Sequence, residues 1–306
     1  MSKNPAQLNE LLAANYLLVD TTIRSWSGKK ADSDATKELL DQKGATRDGG
    51  AFVKKLLASA DTELKKVHTT ASSAARYVAM HTLPWSAATD GRKRGNRLLA
   101  TTRAMAFLTG LKPFVDDHRI AVSELANVWD MRVASAQANL GQLADPSDYP
   151  SAAAIPGLFR ISVDMVPIPT IADFGRLNVP GELAERLGER HAQMADQAIR
   201  NAMEDLRDRV VKELERFYTV LGKQGAGEKT KIHETLVSNM ELLVSLGKSM
   251  DLGSNQRFTE LIDRIETQLL RQPVSVYKVS PAAAQVASDL ARQIAVDAAL
   301  EEVWQA

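Results

Sequence analysis

Basic side chains cluster between residues 51 and 112 of this chain. The segment carries eleven Lys and Arg residues against three acidic ones, whereas the whole chain has 38 of each sign and a net charge of zero. A local excess of positive charge attracts polyanions whatever the overall charge is. Because a nucleic-acid backbone carries one negative charge per phosphate, phosphate binding is the chemistry that these residues suggest.

The spacing of the cations predicts that several of them lie in line along a helix. Apolar residues recur every three or four positions from Val53 to His81, which predicts one long helix there. On a helix, residues eleven apart are separated by about three full turns and lie on one line. The two predicted lines are Lys54, Lys65 and Arg76, and beside them Lys55, Lys66 and Tyr77.

The predicted interface continues past this helix. No acidic residue occurs between Gly91 and Val115, although six cations do. Tyr77, and in addition Trp85 or Trp26, are candidates for stacking on bases. The full set of predicted nucleic-acid contacts is Lys54, Lys55, Lys65, Lys66, Arg76, Tyr77, Arg92, Lys93, Arg94, Arg97 and Arg103.

Two other interpretations of these cations stay open. Cations on the exposed face of an amphipathic helix also serve solubility alone. Residues 113–306 carry twenty basic and twenty-eight acidic residues, so the basic segment is also able to pair with acidic helices of its own chain. Glu is nearly absent four residues before the cations, which favours a polyanion, since a solvated face usually mixes charges of both signs.

The sequence shows no pattern typical of an active site. There is no cysteine, and the five histidines are scattered without an i, i+4 pair, so no local metal motif is present. Residues 222–230 resemble a phosphate-binding loop, but Glu228 separates the last glycine from Lys229, and the loop follows a predicted helix instead of a strand. We therefore predict a non-enzymatic protein without a metal or cofactor.

Helical periodicity dominates the chain. Long helices are predicted at 53–81, 113–140 and 182–221, with others at 228–250, 255–271 and 281–304. Two segments of strand character, Leu17–Arg24 and Leu158–Ile168, are predicted to pair. The predicted fold class is mainly α: long antiparallel helices in a coiled-coil-like bundle, with a small two-stranded β element.

The charge distribution predicts two regions. The first is a basic helical region at residues 1–180 that includes the β element, and the second is an acidic helical region at 181–306; one single domain is the alternative. No apolar run has the length of a membrane span, and the first residues lack a signal-peptide core. We expect a soluble cytoplasmic protein, with homo-oligomers formed through exposed helix seams.

Several short motifs, taken in order, resemble a known family. They are Trp26-Ser27-Gly28-Lys29-Lys30, Leu83-Pro84-Trp85, Leu140-Gly141, Asp148-Tyr149-Pro150-Ser151, and a strand from Phe159-Arg160-Ile161 to Val166-Pro167-Ile168-Pro169. The likeness covers about residues 16–220 and is to a phage and mobile-element family. Within that family the chain is similar to the Drc proteins of the Schitoviridae podoviruses.

The resemblance implies a function but no binding residues. Drc proteins are single-stranded-DNA-binding cofactors of a phage-encoded RNA polymerase, so the implied partners are single-stranded DNA and that polymerase, in the host cytoplasm. Many single-strand binders end in an acidic run closed by an aromatic residue. This chain ends in Glu301-Glu302-Val303-Trp304 on an Ala-rich helix, so a recruiting tail is not expected. The alternative function is a coiled-coil adaptor that binds proteins and no nucleic acid.

Overall fold

The computed structural model describes residues 5–46, 49–57, 62–85, 96–176, 178–250 and 255–304. The chain is mainly α, as the sequence predicts. Its α-helices are α1 (Pro5–Asn15), α2 (Ser33–Lys43), α3 (Thr62–His81), α4 (Ala104–Leu140), α5 (Ile155–Leu158), α6 (Ile171–Gly175), α7 (Gly181–Gly225), α8 (Thr235–Met250), α9 (Gln256–Arg264), α10 (Val274–Val279) and α11 (Pro281–Ala298). Within the described ranges, no helix is both long and apolar enough to cross a membrane.

Six short strands accompany the helices in the described part of the chain. They are β1 (Tyr16–Arg24), β2 (Lys29–Ala31), β3 (Val53–Lys55), β4 (Leu83–Pro84), β5 (Arg97–Ala100) and β6 (Arg160–Pro167). One sheet has the order β4-β5-β1-β6, and β2 and β3 form a separate antiparallel pair. The two predicted strands are therefore neighbours, as β1 and β6. Their sheet has four strands instead of two, because β5 pairs with β1 and β4 in turn pairs with β5.

The predicted helix over residues 53–81 is wrong in its first part. Residues 53–55 form β3, whose backbone pairs with β2, and the Leu56 N–H donates to the Gly28 carbonyl at 2.8 Å. Helix α3 begins only at Thr62, and its buried face is Val67, Ala71, Ala74 and Val78, as the spacing predicts. Ala60 of the predicted seam lies outside the described residues. Because the three-and-four spacing of apolar residues continues through the three-residue strand β3, the spacing does not show that a strand precedes the helix.

The chain forms two compact units that interleave along the sequence. Unit 1 comprises Met1–Asp20, Ala79–Met105 and Asp164–Ala306, and unit 2 comprises Thr21–Val78 and Ala106–Val163. The charge pattern instead predicts two consecutive regions that meet at residue 180.

In unit 1, helix α7 is the element on which α1, α6, α8 and α11 pack. Its apolar seam, the residues that recur every three or four positions from Leu183 to Leu221, is fully buried from Ala198 onward. Nearer its start the seam differs, because Leu183 and Met194 are 43% and 48% exposed while Ala184, Ala192 and Ala195 are buried. Small side chains face inward there, where Asn9 of α1 and Phe174 of α6 contact His191.

Two of the three glycines in the loop-like segment 222–230 serve helix packing. α7 runs on to Gly225, and a Cβ on that residue would lie 2.4 Å from Oε1 of Gln285 on α11. At Gly222 a Cβ would approach the Ser288 Oγ to 3.1 Å, and that hydroxyl donates to the Tyr218 carbonyl at 2.8 Å. The close approach of α11 to α7 explains why glycine occupies these two positions, and phosphate binding is not needed to explain them. Pro273 and Pro281, which bracket residues 274–279, predict a short extended piece there, but the segment forms the short helix α10.

Unit 2 is centred on α4, which continues through Pro113 where the sequence predicts a break or kink. Its core consists of Leu57, Val67, Ala121, Val122, Leu125, Trp129, Ala136, Ile155 and Phe159. The Trp129 indole N–H donates to the Pro150 carbonyl at 2.8 Å, and the ring of Trp26 lies edge-on to it at 5.4 Å. α3 meets α4 through Tyr77, whose ring lies 5.1 Å from that of Phe114.

Gly110→Ala should destabilise unit 2, because a Cβ at this position would lie 2.1 Å from the Tyr77 Oη and 2.9 Å from its Cζ. Overpacking of this kind costs about 1–3 kcal/mol, against a gain of up to about 1 kcal/mol from glycine to alanine in an open helix. Urea denaturation measures the change. Gly157→Ala is the control, because nothing lies within 4 Å of its Cβ position. Tyr77→Phe should reduce the cost of G110A; equal costs in both backgrounds would contradict the packing described.

Candidate nucleic-acid interface

Unit 2 carries a groove between the β2–β3 pair and one face of α3. Its volume is about 790 Å³. We call it the basic groove, and its described lining residues are Ser27, Gly28, Lys29, Lys55, Leu57, Leu64, Lys65, His68, Thr69, Ser72, Ser73 and Arg76. Three of the predicted contact residues, Lys55, Lys65 and Arg76, are thus brought together.

Helix α3 supplies one long wall of the basic groove. Lys65, Thr69, Ser72 and Arg76 follow one another at intervals of four, three and four residues, so they share one face of the helix. A cation therefore stands at each end of this face, with hydroxyl side chains between them. At about 1.5 Å rise per residue, the two cations are separated by roughly 16 Å along the helix axis.

The β2–β3 pair supplies two further cations. Lys29 and Lys55 are directly opposite each other in the antiparallel register. Like charges in this position repel each other and destabilise a sheet, so an anion bound beside them would relieve the repulsion. Gly28 brings the strand close to α3: its φ is +65°, and a Cβ there would meet Leu64 Cδ2 at 3.2 Å.

The basic groove contains no negative charge among its described lining residues. Lys29, Lys65 and Arg76 are exposed, and none of them forms an ion pair with any carboxylate in the described part of the chain. The neighbouring line on α3 differs, because Lys66 pairs with Glu124 of α4 at 2.5 Å. A surface that is merely solvated usually carries charges of both signs. Such a mixture is present beside the groove, whereas the described walls of the groove carry positive charge only.

Lys54 does not belong to the interface. Its side chain is 6% exposed, and its ammonium lies 2.7 Å from the Asp148 carboxylate, 3.0 Å from that of Asp32 and 3.1 Å from the Leu143 carbonyl. Asp148 also accepts from Lys30. Lys54 and Lys66 thus pair with acidic residues of their own chain, as the alternative interpretation of the basic segment predicts for them.

These ion pairs shift the pKa values of the groups that form them. Hydrogen bonding to Asp148, and then to Asp32, raises the pKa of Lys54. Hydrogen bonds from Lys30 and Lys54 lower the pKa of Asp148. Both groups are therefore held in their charged forms, and the cluster joins β2 and β3 to the segment that follows α4.

The predicted stacking residues are packed within the fold. The Tyr77 ring contacts those of Phe107 and Phe114, and its hydroxyl donates to the Phe107 carbonyl at 3.3 Å. Trp26 packs against Trp129. Trp85 is 7% exposed and lies against His191. Each ring is thus part of an aromatic cluster. Trp85 is buried, whereas Trp26 and Tyr77 are half-buried, so base stacking by these two rings stays a prediction.

The remaining predicted cations lie elsewhere. Arg97 and Arg103 belong to unit 1. The Arg97 guanidinium donates to the Thr82 hydroxyl at 2.6 Å and to the Thr82 carbonyl at 3.0 Å, just past the end of α3, and burial lowers its pKa to about 10. Arg103 is half-buried, and its charge contributes to lowering the pKa of His81. Arg92, Lys93 and Arg94 lie outside the described residues.

Sequence reasoning missed Lys29, His68 and the hydroxyl groups of the groove. Lys29 reaches it through strand pairing with Lys55, which lies 26 residues away and which no local pattern shows. The sequence does contain a signal for the hydroxyl groups, because Thr69, Ser72 and Ser73 lie between the predicted contacts Lys65 and Arg76. His68 hydrogen-bonds the Ser25 Oγ through Nδ1 at 3.0 Å, and burial lowers its pKa, so the ring is neutral at pH 7.

No group of three or more His, Asp or Glu side chains that could hold a metal ion occurs within the described ranges. In comparisons with known proteins, no protein-family model, no curated protein and no solved structure matches this chain. What this protein binds is therefore inferred from the geometry and charge of the basic groove.

Lys54→Met should destabilise unit 2 by about 3 kcal/mol, because it removes one partner of a buried ion pair and leaves carboxylate charge behind. Chemical denaturation of the full chain measures this. Lys29→Met is the matched control, since that lysine lies on the adjacent strand, is exposed, and forms no ion pair with a described residue. It should change stability by less than about 0.5 kcal/mol. Equal effects of the two substitutions would contradict the assignment of Lys54.

The stability difference between wild type and K54M should depend on pH at both extremes. The pKa of Asp148 is lowered from 3.8, so its contribution is present above that value and is lost as the pH falls through the folded-state pKa. The pKa of Lys54 is raised from 10.5, so its contribution is present below that value and is lost as the pH rises through the folded-state pKa. Denaturation at a series of pH values should show a constant difference between these limits. A difference that changes near pH 6.5 would point to a histidine instead.

Proposed function

We propose that this protein binds single-stranded DNA, without sequence preference, through the basic groove of unit 2. The observation that carries the proposal is the set of four cations, Lys29, Lys55, Lys65 and Arg76, around a groove whose described walls have no carboxylate. Like charges gathered around one groove repel each other in the unbound protein, and a bound phosphate backbone relieves that repulsion. No enzymatic step is part of the proposal.

Binding by this groove is electrostatic. Lys and Arg neutralise phosphates and release the counterions condensed on the strand. Ser72 and Ser73 add neutral hydroxyl donors between the cations of α3. Phosphate and sugar contacts fix the position of a strand but carry no sequence information, so binding through them is independent of sequence.

A role in phage transcription is the second part of the proposal, and it rests on the Drc resemblance. The motif Trp26-Ser27-Gly28-Lys29-Lys30, which contributes to that resemblance, supplies three lining residues of the groove. Its last residue, Lys30, pairs with Asp148 of a second such motif. In this proposal the DNA-bound protein recruits or assists a phage-encoded RNA polymerase in the host cytoplasm.

The triple variant Lys29→Glu, Lys65→Glu, Arg76→Glu should weaken binding of a fluorescent oligo-dT 12-mer about 100-fold or more, because three phosphate contacts become repulsive. Fluorescence anisotropy at a fixed salt concentration measures the affinity. Circular dichroism and the thermal midpoint should stay near those of wild type, since all three side chains are exposed and form no ion pair with a described residue.

A matched control changes the net charge by the same amount elsewhere on unit 2. Lys37 and Lys43 on α2 and Arg119 on α4 are exposed and are absent from the described lining of the groove. Reversing these three should weaken binding less than about threefold at physiological salt, where charges further apart than ~8 Å are screened. If both triple variants lose affinity equally, net charge and not the groove attracts the DNA.

The salt dependence of binding should report the number of phosphates contacted. Four contacts predict a log–log slope of about −2.8 for a single strand, at about −0.7 per phosphate. Lys65→Gln should reduce the steepness by about 0.7, whereas Lys37→Gln should leave it unchanged. Anisotropy titrations at several salt concentrations measure the slope. A wild-type affinity that does not respond to salt would contradict electrostatic binding.

A further inference from the structure

We propose that the basic groove recognises a linear chain of phosphates lying along α3, and that it contacts the phosphates and not the bases. The inference rests on the proposed function and narrows it to a ligand class. That class is an extended phosphate chain, supplied either by a single-stranded nucleic acid or by inorganic polyphosphate.

The length of the α3 wall excludes a compact ligand. Lys65 and Arg76 are eleven residues apart on one helix face, which corresponds to roughly 16 Å along the axis. Successive phosphates of a stacked strand are about 3.4 Å apart along its axis, and those of an extended strand are further apart. A chain that contacts both cations therefore needs between about three phosphates when extended and about six when stacked. A mononucleotide reaches only one end.

The side chains between the two cations are suited to phosphate oxygens. No hydrogen-bond partner for the Ser72 or Ser73 hydroxyl lies in the described part of the chain, and both line the groove. The Thr69 hydroxyl donates to the Lys65 carbonyl at 2.8 Å, so its proton is used within the helix. Lys65, the two serines and Arg76 thus form a row of donors along α3, and acceptor-only phosphates match such a row.

The described walls offer no open aromatic ring for a base to stack on. Among the described lining residues, His68 is the one aromatic ring. That ring is held by the Ser25 hydroxyl and lies edge-on to Phe159 at 6.2 Å between centroids. Tyr77, Trp26 and Trp85 are packed in aromatic clusters. Single-strand binders that stack bases present such rings openly, so here the bases point away from the groove.

Competition against a bound, labelled oligo-dT 12-mer tests the inference. The competitors are unlabelled dT 12-mer, an abasic deoxyribose-phosphate 12-mer, linear polyphosphate of about twelve phosphates, and ATP. The abasic chain and polyphosphate should compete within about threefold of the dT 12-mer. ATP should compete at least about 100-fold more weakly. Abasic chains of increasing length should gain affinity steeply up to about six phosphates and slowly thereafter.

Variants assign the binding to the groove. The double variant Ser72→Ala, Ser73→Ala should weaken the binding of the dT 12-mer and of polyphosphate by the same few-fold factor. The control variant Ser33→Ala, Ser147→Ala changes two serines outside the described lining and should leave the binding of both unchanged. The triple reversal of Lys29, Lys65 and Arg76 should abolish competition by polyphosphate. Persistent polyphosphate binding to that variant would place the phosphate site elsewhere and overturn the inference.

The outcomes separate this inference from the proposed function. If dT binds but the abasic chain and polyphosphate compete more than about 30-fold more weakly, the bases are contacted, and the inference fails while the proposed function stands. If ATP competes as well as the 12-mers, the site is compact, which also overturns the inference. If labelled polyphosphate binds in the groove and dT does not, the proposed function fails and the phosphate-chain assignment holds. If neither binds, both fail.

Discussion

The buried ammonium of Lys54 determines which side of the β2–β3 pair carries the binding charges. Because side chains alternate along a strand, Lys54 and Lys55 point to opposite faces. Lys54 pairs with Asp148 and Asp32 beneath the sheet, and Lys30, opposite it in register, joins Asp148. A slip of one residue would bury Lys55 and expose Lys54, at the cost of the ion pairs. The internal pairs thus hold Lys29 and Lys55 on the groove side.

The second constraint is the position of α3. Its apolar face, from Val67 to Val78, packs inward, and this leaves Lys65, Ser72 and Arg76 on the side of the groove. At Gly28 a left-handed turn and the missing side chain let the β2–β3 pair approach Leu64 of α3. The two cation-bearing walls are therefore held in place by core packing and ion pairing, neither of which depends on a ligand. Such preorganisation lowers the entropic cost of binding.

The sequence predicts those parts of the fold that a local period determines. The buried seam of α7 from Ala198 onward and that of α3 follow from three-and-four spacing, which also correctly predicts Lys65 and Arg76 on one line. The same spacing continues through Val53–Lys55, so the sequence wrongly predicts a helix there and a place for Lys54 in the interface. Pairing of Lys29 with Lys55 and of Lys54 with Asp148 joins distant segments. Charge alone does not distinguish a lysine that binds a phosphate from one that pairs with a buried carboxylate.

Lysine acetylation measured by mass spectrometry, with and without single-stranded DNA, tests the central claim most directly. The account predicts that DNA protects Lys29, Lys55 and Lys65 from the reagent. Lys37 and Lys43 should react equally in both states, and Lys54 should react slowly in both because it is buried in ion pairs. Unchanged reactivity of Lys29 and Lys65 in a sample saturated with DNA would show that the strand lies elsewhere and would contradict the account.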